Sequence, residues 1–328
     1  MKEKDLITSI KTILNSPYIG DDCAYLKDLG IVVTQDSLVQ DVHFSLLTTT
    51  PWQLGYKSVK VNISDIAASG GECKYFTISL SLPKNLELFY YGEDSYGEQI
   101  TDVEKFFIEE FYDGAKAACG KDIQIVGGDI TGSDKVYISI CAIGTTKGRN
   151  ISSRSNAKVG YKVVVAGEHG SSAAGFYLLQ RRMGDFIPCS MTERSIFIQS
   201  HLEPKAQVEF GANVGKTVKE DYAMMDTSDG LMEALSTIAN ESGVLLEIDF
   251  DKIPHEKSIE NFENWEDLLL FGGEDYGIVA VVPQKYDIGG VEIGQVKLGL
   301  GVDLKIKNTL KHYSKGDVEK KLFNHFDY

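Results

Sequence analysis

Hydrophobic positions along this chain switch repeatedly between a spacing of three to four residues and a spacing of two. Leu6, Ile7, Ile10, Ile13 and Leu14 share one helical face and predict a short helix over 5–15. Residues 31–34 have strand character and lead into a loop at Asp36. Residues 52–69 return to helical spacing, with Ala67, Ala68 and Ser69 small enough for close packing, and Gly70-Gly71 ends that helix. A strand follows over 75–82 until Pro83 stops it. Further on come a helix at 103–119, a strand at 123–126, a Gly127-Gly128-Asp129 turn and a strand at 136–143. The second half predicts strands at 161–166, 223–225, 244–248, 276–282 and 291–293. Helices follow the glycine-rich stretch 167–175 and occupy 230–241. Strands and helices alternate in both halves, so the expected fold class is α/β (α+β).

Two stretches break this rhythm. Residues 84–102 hold Tyr90, Tyr91, Tyr96, two glycines and several acids, and read as an exposed excursion. Residues 147–160 are polar and glycine-bearing, which suits a boundary near 148 and domains of 1–148 and 149–328. A length of 328 residues agrees, since it exceeds what one core usually holds.

Composition narrows the function. No apolar run approaches the roughly 20 residues needed to span a bilayer. The N-terminus carries no signal-peptide stretch, so the expectation is a cytoplasmic protein with no membrane contact. A net charge of −15 argues against nucleic acid, whose binding needs Lys and Arg to displace counterions. An anionic substrate remains compatible, because bound divalent cations reverse the local sign. The five cysteines form no CxxC pair and read as reduced, partly buried thiols.

The candidate chemistry lies in six short acidic clusters beside apolar runs: Gly20-Asp21-Asp22, Thr34-Gln35-Asp36, Ser64-Asp65, Gly127-Gly128-Asp129, Asp226-Thr-Ser-Asp229-Gly230 and Gly272-Gly273-Glu274-Asp275. Singly, each has a plainer explanation as a turn, a surface acid or a helix N-cap. Together they suggest carboxylates gathered around a cation, and hard oxygen ligands suit Mg²⁺ or Ca²⁺. Glycine beside them lets backbone approach a polyanion. The near P-loop Gly211-Ala-Asn-Val-Gly215-Lys216-Thr217 has three residues between its glycines where four are required, and the segment 204–210 before it reads as helix.

In their order and spacing, Ile19–Ala24, Thr34–Phe44, Lys60–Gly70, Val126–Asp129, Met225–Leu231 and Phe271–Tyr276 resemble the thiamine-monophosphate kinase family, over about 18–328. The resemblance implies an aminoimidazole ribonucleotide synthase-like fold of two domains. An N-terminal ATP- and Mg-binding domain would contribute its sheet to a barrel shared in a homodimer, beside a C-terminal α/β domain. It implies ATP-dependent phosphorylation of thiamine monophosphate to thiamine diphosphate, a phosphotransferase reaction with a phosphate as acceptor, assisted by several Mg²⁺ ions. On matching positions Asp22, Asp36, Asp65, Asp129, Asp226 and Asp229 would be metal ligands, with Thr34 and Gln35 helping. Tyr112, Gly127, Gly128, Arg154 and Ser228 would meet the nucleotide. His43, Glu274 and Phe323 would meet the thiamine phosphate. Asp129, Asp229 and Arg154 would carry the transfer, Arg154 as a phosphate clamp whose planar fork matches phosphate oxygens.

The chain departs from the family pattern at Gln35, where Thr or Ser is usual, at Gln40-Asp41, usually Glu-Gly, and at Ser171, usually Asp. Two other functions compete. One is a related ATP-dependent synthase that activates an amide or similar oxygen. The loop from Asp36 to Phe44 holds no lysine, and the last residues, Asn324–Tyr328, hold no cysteine, where those relatives use such groups. The other is a non-catalytic Mg–nucleotide binder, which retention of all six acidic clusters disfavours.

Overall fold

The computed structural model describes residues 3–88, 102–181 and 188–322. Residues 89–101, the tyrosine-bearing part of the 84–102 excursion, and Phe323 therefore lie outside the described residues. In the N-terminal half, α1 (Glu3–Leu14) precedes β1 (Ala24–Leu26), β2 (Ile31–Val39), α2 (Pro51–Ala68), β3 (Glu72–Pro83), α3 (Val103–Cys119), β4 (Gln124–Ser133) and β5 (Tyr137–Thr145). The sheet order is β1-β2-β5-β3-β4, with only the β3–β4 pair of this sheet parallel.

α2 starts cleanly because Thr50 and Gln53 form a capping box and Pro51 occupies the first turn. With α3 it covers one face of the sheet, where Leu54, Phe107 and Phe111 meet Ile78, Leu80, Ile138 and Ile140. The two helices touch backbone to backbone. A methyl at Gly55 would collide with the Phe111 carbonyl, and one at Gly114 with the Trp52 carbonyl. The other face is polar: Gln35 Nε2 donates to Ser139 Oγ (3.0 Å) and Ser37 Oγ donates to the same oxygen (3.1 Å). β4 is the sheet's exposed edge, with Val126 and Ile130 each 56% accessible.

Two local expectations are corrected here. Asp36 lies inside β2, not in a loop, because β5 pairs with β2 all the way from Ile31 to Val39. Gly127-Gly128-Asp129 is the middle of β4, not a turn. Pairing with β3 continues through it, with a register shift that leaves Val126 unpaired beside the glycines. Gly128 lies so close to the Ile78 backbone that no side chain fits.

The C-terminal half comprises β6 (Tyr161–Ala166), α4 (Ser171–Leu179), α5 (Met191–Leu202), α6 (Val208–Thr217), β7 (Ala223–Asp226), α7 (Leu231–Ser242), β8 (Leu245–Asp249), α8 (Trp265–Phe271), β9 (Ile278–Pro283), β10 (Val291–Lys297), β11 (Gly301–Ile306), β12 (Thr309–Tyr313) and α9 (Lys315–Glu319). Its sheet order is β12-β11-β8-β10-β6-β9-β7. α7 packs Leu235 and Ile238 against Val163, Val279 and Leu246 on one face. On the other, Val214 of α6 shares a core with Val164, Met224 and Ala280, and Ala67 and Ala68 of α2 join it. α2 therefore belongs to both halves.

The near P-loop is part of α6, which begins at Val208 and contains both glycines, so the preceding 204–207 is not helical. Gly211 lies on the Ala67 carbonyl and Gly215 on the Gly70 carbonyl, so these glycines serve helix contact and not phosphate. The segment after 148 crosses between the halves under tight restraint. Asn150 N donates to Gly215 O (2.8 Å) and Ser152 Oγ to Ala68 O (2.8 Å).

Candidate active site

Four pieces of chain converge where α2 runs between the two sheets: the loop at 20–22, β2, the C-terminal turns of α2, and the end of β7 with the loop after it. Hydroxyls orient the carboxylates. Thr34 Oγ1 donates to Asp65 Oδ2 (2.6 Å), Ser64 Oγ to Asp226 Oδ2 (2.7 Å) and Ser228 Oγ to Asp226 Oδ1 (2.8 Å). The Asp36 amide donates to Asn62 Oδ1 (3.2 Å), and buried Asn62 is itself anchored on Ser58 O. So held, Asp22, Asp65 and Asp226 each offer an oxygen within 4.8 Å of the others.

Such crowding is costly without a cation, and the proton affinities record it. Burial, then the Asp229 and Asp22 charges, push Asp36 up to about 6. Burial, then Asp22, push Asp226 up to about 7 against the pull of its serine hydroxyls. Burial, Asp36, Asp226 and Asp22 raise Asp65 well above the carboxylate range. Burial and the Asp65 and Asp22 charges keep the neighbouring Cys23 thiol protonated, so the donor set here is oxygen. An all-oxygen, acid-rich cluster fits a hard divalent cation such as Mg²⁺. Arg154 reaches the same place: its Nη2 donates to Asp22 Oδ1 (2.8 Å), its amide is held by Asp21 Oδ1 (2.7 Å), and its buried Nε has no partner.

A second group adjoins the cluster. Gly272-Gly273-Glu274-Asp275 lies on the Thr227–Gly230 loop, backbone against backbone, with the Glu274 amide donating to Ser228 O (2.6 Å). Glu274 adopts φ 66°, a left-handed conformation rare for a residue with a side chain. Its carboxylate faces Lys57 Nζ (2.9 Å) and His201 Nδ1 (3.4 Å). Burial alone would raise its pKa, but Lys57, His201 and His43 outweigh burial and hold it below the usual glutamate value. His43 thus lies close enough to act on Glu274, joining two residues far apart in sequence. The His43 Nδ1 accepts the Val39 amide (3.0 Å), so the ring proton sits on Nε2.

Some predicted residues are not in this assembly. Gln35 is exposed on the polar face of the sheet, its side chain turned to Ser139. Asp129 is exposed on β4, in register with Ser79 and separated from β2 by β3 and β5. That is about 14 Å at the usual strand spacing. Tyr112 lines a groove with Asp113, Lys116, Gly120 and Ile125 beside β4, with Gly127 leaving open space nearby. The sequence reading missed Lys57 and His201. Lys57 had a signal: it stands between Leu54 and Val61 on the apolar stripe of α2. His201 ends α5, which carries only a weak periodic pattern.

Comparison with known proteins agrees with this geometry. A family model described as "AIR synthase related protein, N-terminal domain" matches residues 20–146. Thiamine-monophosphate kinase of Aquifex aeolicus (strain VF5) is 33% identical over 99% of this chain and 98% of its own length. That of Bacillus subtilis (strain 168) is 33% identical over 99% and 100%. The chain belongs to the thiamine-monophosphate kinase family. A solved structure described as "AaThiL complexed with AMPPCP and TMP" is 32% identical, with TM-score 0.79 over 95% of this chain and 97% of that one. The thiamine-monophosphate kinase structure from Stenotrophomonas maltophilia K279a has 27% identity and TM-score 0.70, over 92% and 95%. A HypE–HypF complex shares the fold at TM-score 0.66 and 19% identity. Both halves of the chain thus follow the thiamine-monophosphate kinase pattern.

Proposed function

We propose that this chain transfers the terminal phosphoryl group of ATP to thiamine monophosphate by direct in-line displacement, giving thiamine diphosphate and ADP. The observation that carries this reading is the convergence of Asp22, Asp65 and Asp226 oxygens within 4.8 Å, in a chain of this family. Asp36 and Asp229 complete the proposed set of Mg²⁺ ligands, with Thr34 orienting Asp65 and Gln35 contributing its backbone carbonyl. Bound Mg²⁺ would offset the negative charge of the phosphate oxygens that the reaction crowds together.

The protein's own residues supply position. Arg154, anchored by Asp21 and Asp22, is placed to clamp phosphate oxygens. Ser228 ties Asp226 to the Glu274 loop, and His43 offers its Nε2–H toward the acceptor. The acceptor phosphate is largely ionised near neutral pH, its second pKa being about 6, so no strong general base is required. Tyr112, Gly127 and Gly128 form the proposed nucleotide contact.

The exposed β4 edge, and the distance of Asp129 and Tyr112 from the cluster, favour a homodimer. In it the N-terminal sheets of two copies close a shared barrel, and Asp129 of one copy meets the carboxylates of the other. Domains of 1–148 and 149–328 and a cytoplasmic setting complete the proposal. Among the described residues no helix is long and apolar enough to cross a membrane.

Mass spectrometry of the purified protein with ATP, Mg²⁺ and thiamine monophosphate tests the reaction, with free thiamine as control. Equal amounts of thiamine diphosphate and ADP, formed only from the monophosphate, are expected. Mg·ATP binding without diphosphate would reject the kinase reading.

A further inference from the structure

Lys57 is a fully buried lysine, only 1% exposed, and the metal cluster does not use it. Its ammonium ends 2.9 Å from Glu274 Oε1, while the opposite oxygen, Oε2, faces His201. His201 itself is neutral: burial first, then the Lys57 charge, depress its pKa to about 3. Ser172 Oγ lies 3.1 Å from the same His201 nitrogen, which leaves the ring anchored to the start of α4. Of the described groups that face Glu274, Lys57 is the one always-charged cation in direct contact with its carboxylate, with His43 adding a weaker pull. The Glu274 backbone cannot relax to find another, since φ is 66° and its amide is fixed on Ser228.

We propose that Lys57 is a positioning residue for the acceptor: it holds Glu274 ionised and aimed, and so sets the affinity for thiamine monophosphate while leaving that for the nucleotide unchanged. The inference rests on the reading that Glu274 belongs to the acceptor site. The acceptor carries a permanent thiazolium cation and an aminopyrimidine with N–H donors, and a fixed carboxylate suits both. A neutral Glu274 would present a hydroxyl and lose the charge-assisted part of those contacts. Removing one member of a buried ion pair leaves the other uncompensated, so its carboxyl takes up a proton or turns away.

The test measures steady-state kinetics of Lys57→Met and Lys57→Arg with each substrate varied, and binding of thiamine monophosphate by calorimetry in the absence of ATP. Wild-type turnover is the control for the parent reading: if the wild type makes no thiamine diphosphate, that reading fails first. Given wild-type turnover, Lys57→Met should raise KM and Kd for thiamine monophosphate at least tenfold, change KM for ATP less than twofold, and be largely rescued in Lys57→Arg. An unchanged acceptor KM, or equal losses for both substrates, overturns the proposal. If Lys57→Met does not fold, Glu274→Gln and the double variant Lys57→Met/Glu274→Gln take its place, because the pair is then removed together. The double variant should bind the acceptor no more weakly than Glu274→Gln alone. A further loss of tenfold or more would mean that Lys57 acts independently of Glu274.

Discussion

Asp226 shows how one residue's surroundings carry the chemistry. Its two serine hydroxyls orient it, and its neighbours' charges raise its proton affinity toward neutrality. Asp226→Asn should reduce turnover by at least about a thousandfold, the scale of losing an electrostatic group in such a site. It should also lift the melting temperature of the metal-free protein at pH 7.5. Full activity at ordinary Mg²⁺ would sink the ligand assignment. The same physics predicts a pH dependence. Asp36 and Asp226 have folded-state pKa values of about 6 and about 7. The unfolded chain loses those protons near 4. The folded state therefore binds more protons between these limits, and metal-free stability falls as pH rises through that window. Added Mg²⁺ should raise the melting temperature more at pH 7.5 than at pH 5.5. His169 and His201, whose pKa values burial lowers to about 4 and about 3, destabilise the fold as pH drops below about 6.5. That effect is common to both conditions and cancels in the difference. Calorimetry showing equal Mg²⁺ shifts at the two pH values would contradict a carboxylate metal site.

Glycines at the scale of elements separate packing from binding. Gly55→Ala forces α2 and α3 apart, and urea unfolding should report a loss of about 3 kcal/mol or more. Gly127→Ala meets nothing within van der Waals reach, so stability should change by less than about 0.5 kcal/mol. If the nucleotide approaches β4 there, that variant's KM for ATP rises while its unfolding curve stays put. An unchanged KM removes Gly127 from the nucleotide site. Periodicity located α2, α3, β6, β7 and α7 because each buries a regular face. It left α5 and α8 unassigned because their apolar residues cluster without a clean stripe, and it read Gly127-Gly128-Asp129 as a turn because glycine is a turn signal. The bulge and the close Ile78 backbone are properties of the β3–β4 pair, which one strand's sequence does not contain.

For the whole molecule, the proposed homodimer would let a second copy supply Asp129. An isologous dimer with shared sites makes a direct prediction. Asp129→Asn and Asp226→Asn proteins, each inactive, should regain activity when refolded together. Random pairing leaves one intact site in half of the dimers, or roughly a quarter of wild-type activity. No recovery, with mixed dimers demonstrated by mass spectrometry, would place Asp129 and Asp226 in the same chain's site. Ile130→Glu on the exposed edge should shift the protein toward monomer in sedimentation and lower turnover with it.

The acidic clusters, their order and their glycines were determined by the sequence alone, because a cation and phosphates constrain residue types before they constrain geometry. Tertiary structure decided how they divide. α2, shared by both cores, carries Asp65 to Asp226 and Asp22, while the sheet order leaves Asp129 on a far edge. It also decided that Lys57 is buried against Glu274. A lysine on an apolar stripe hints at burial, but its partner lies 217 positions away and is brought to it only by folding.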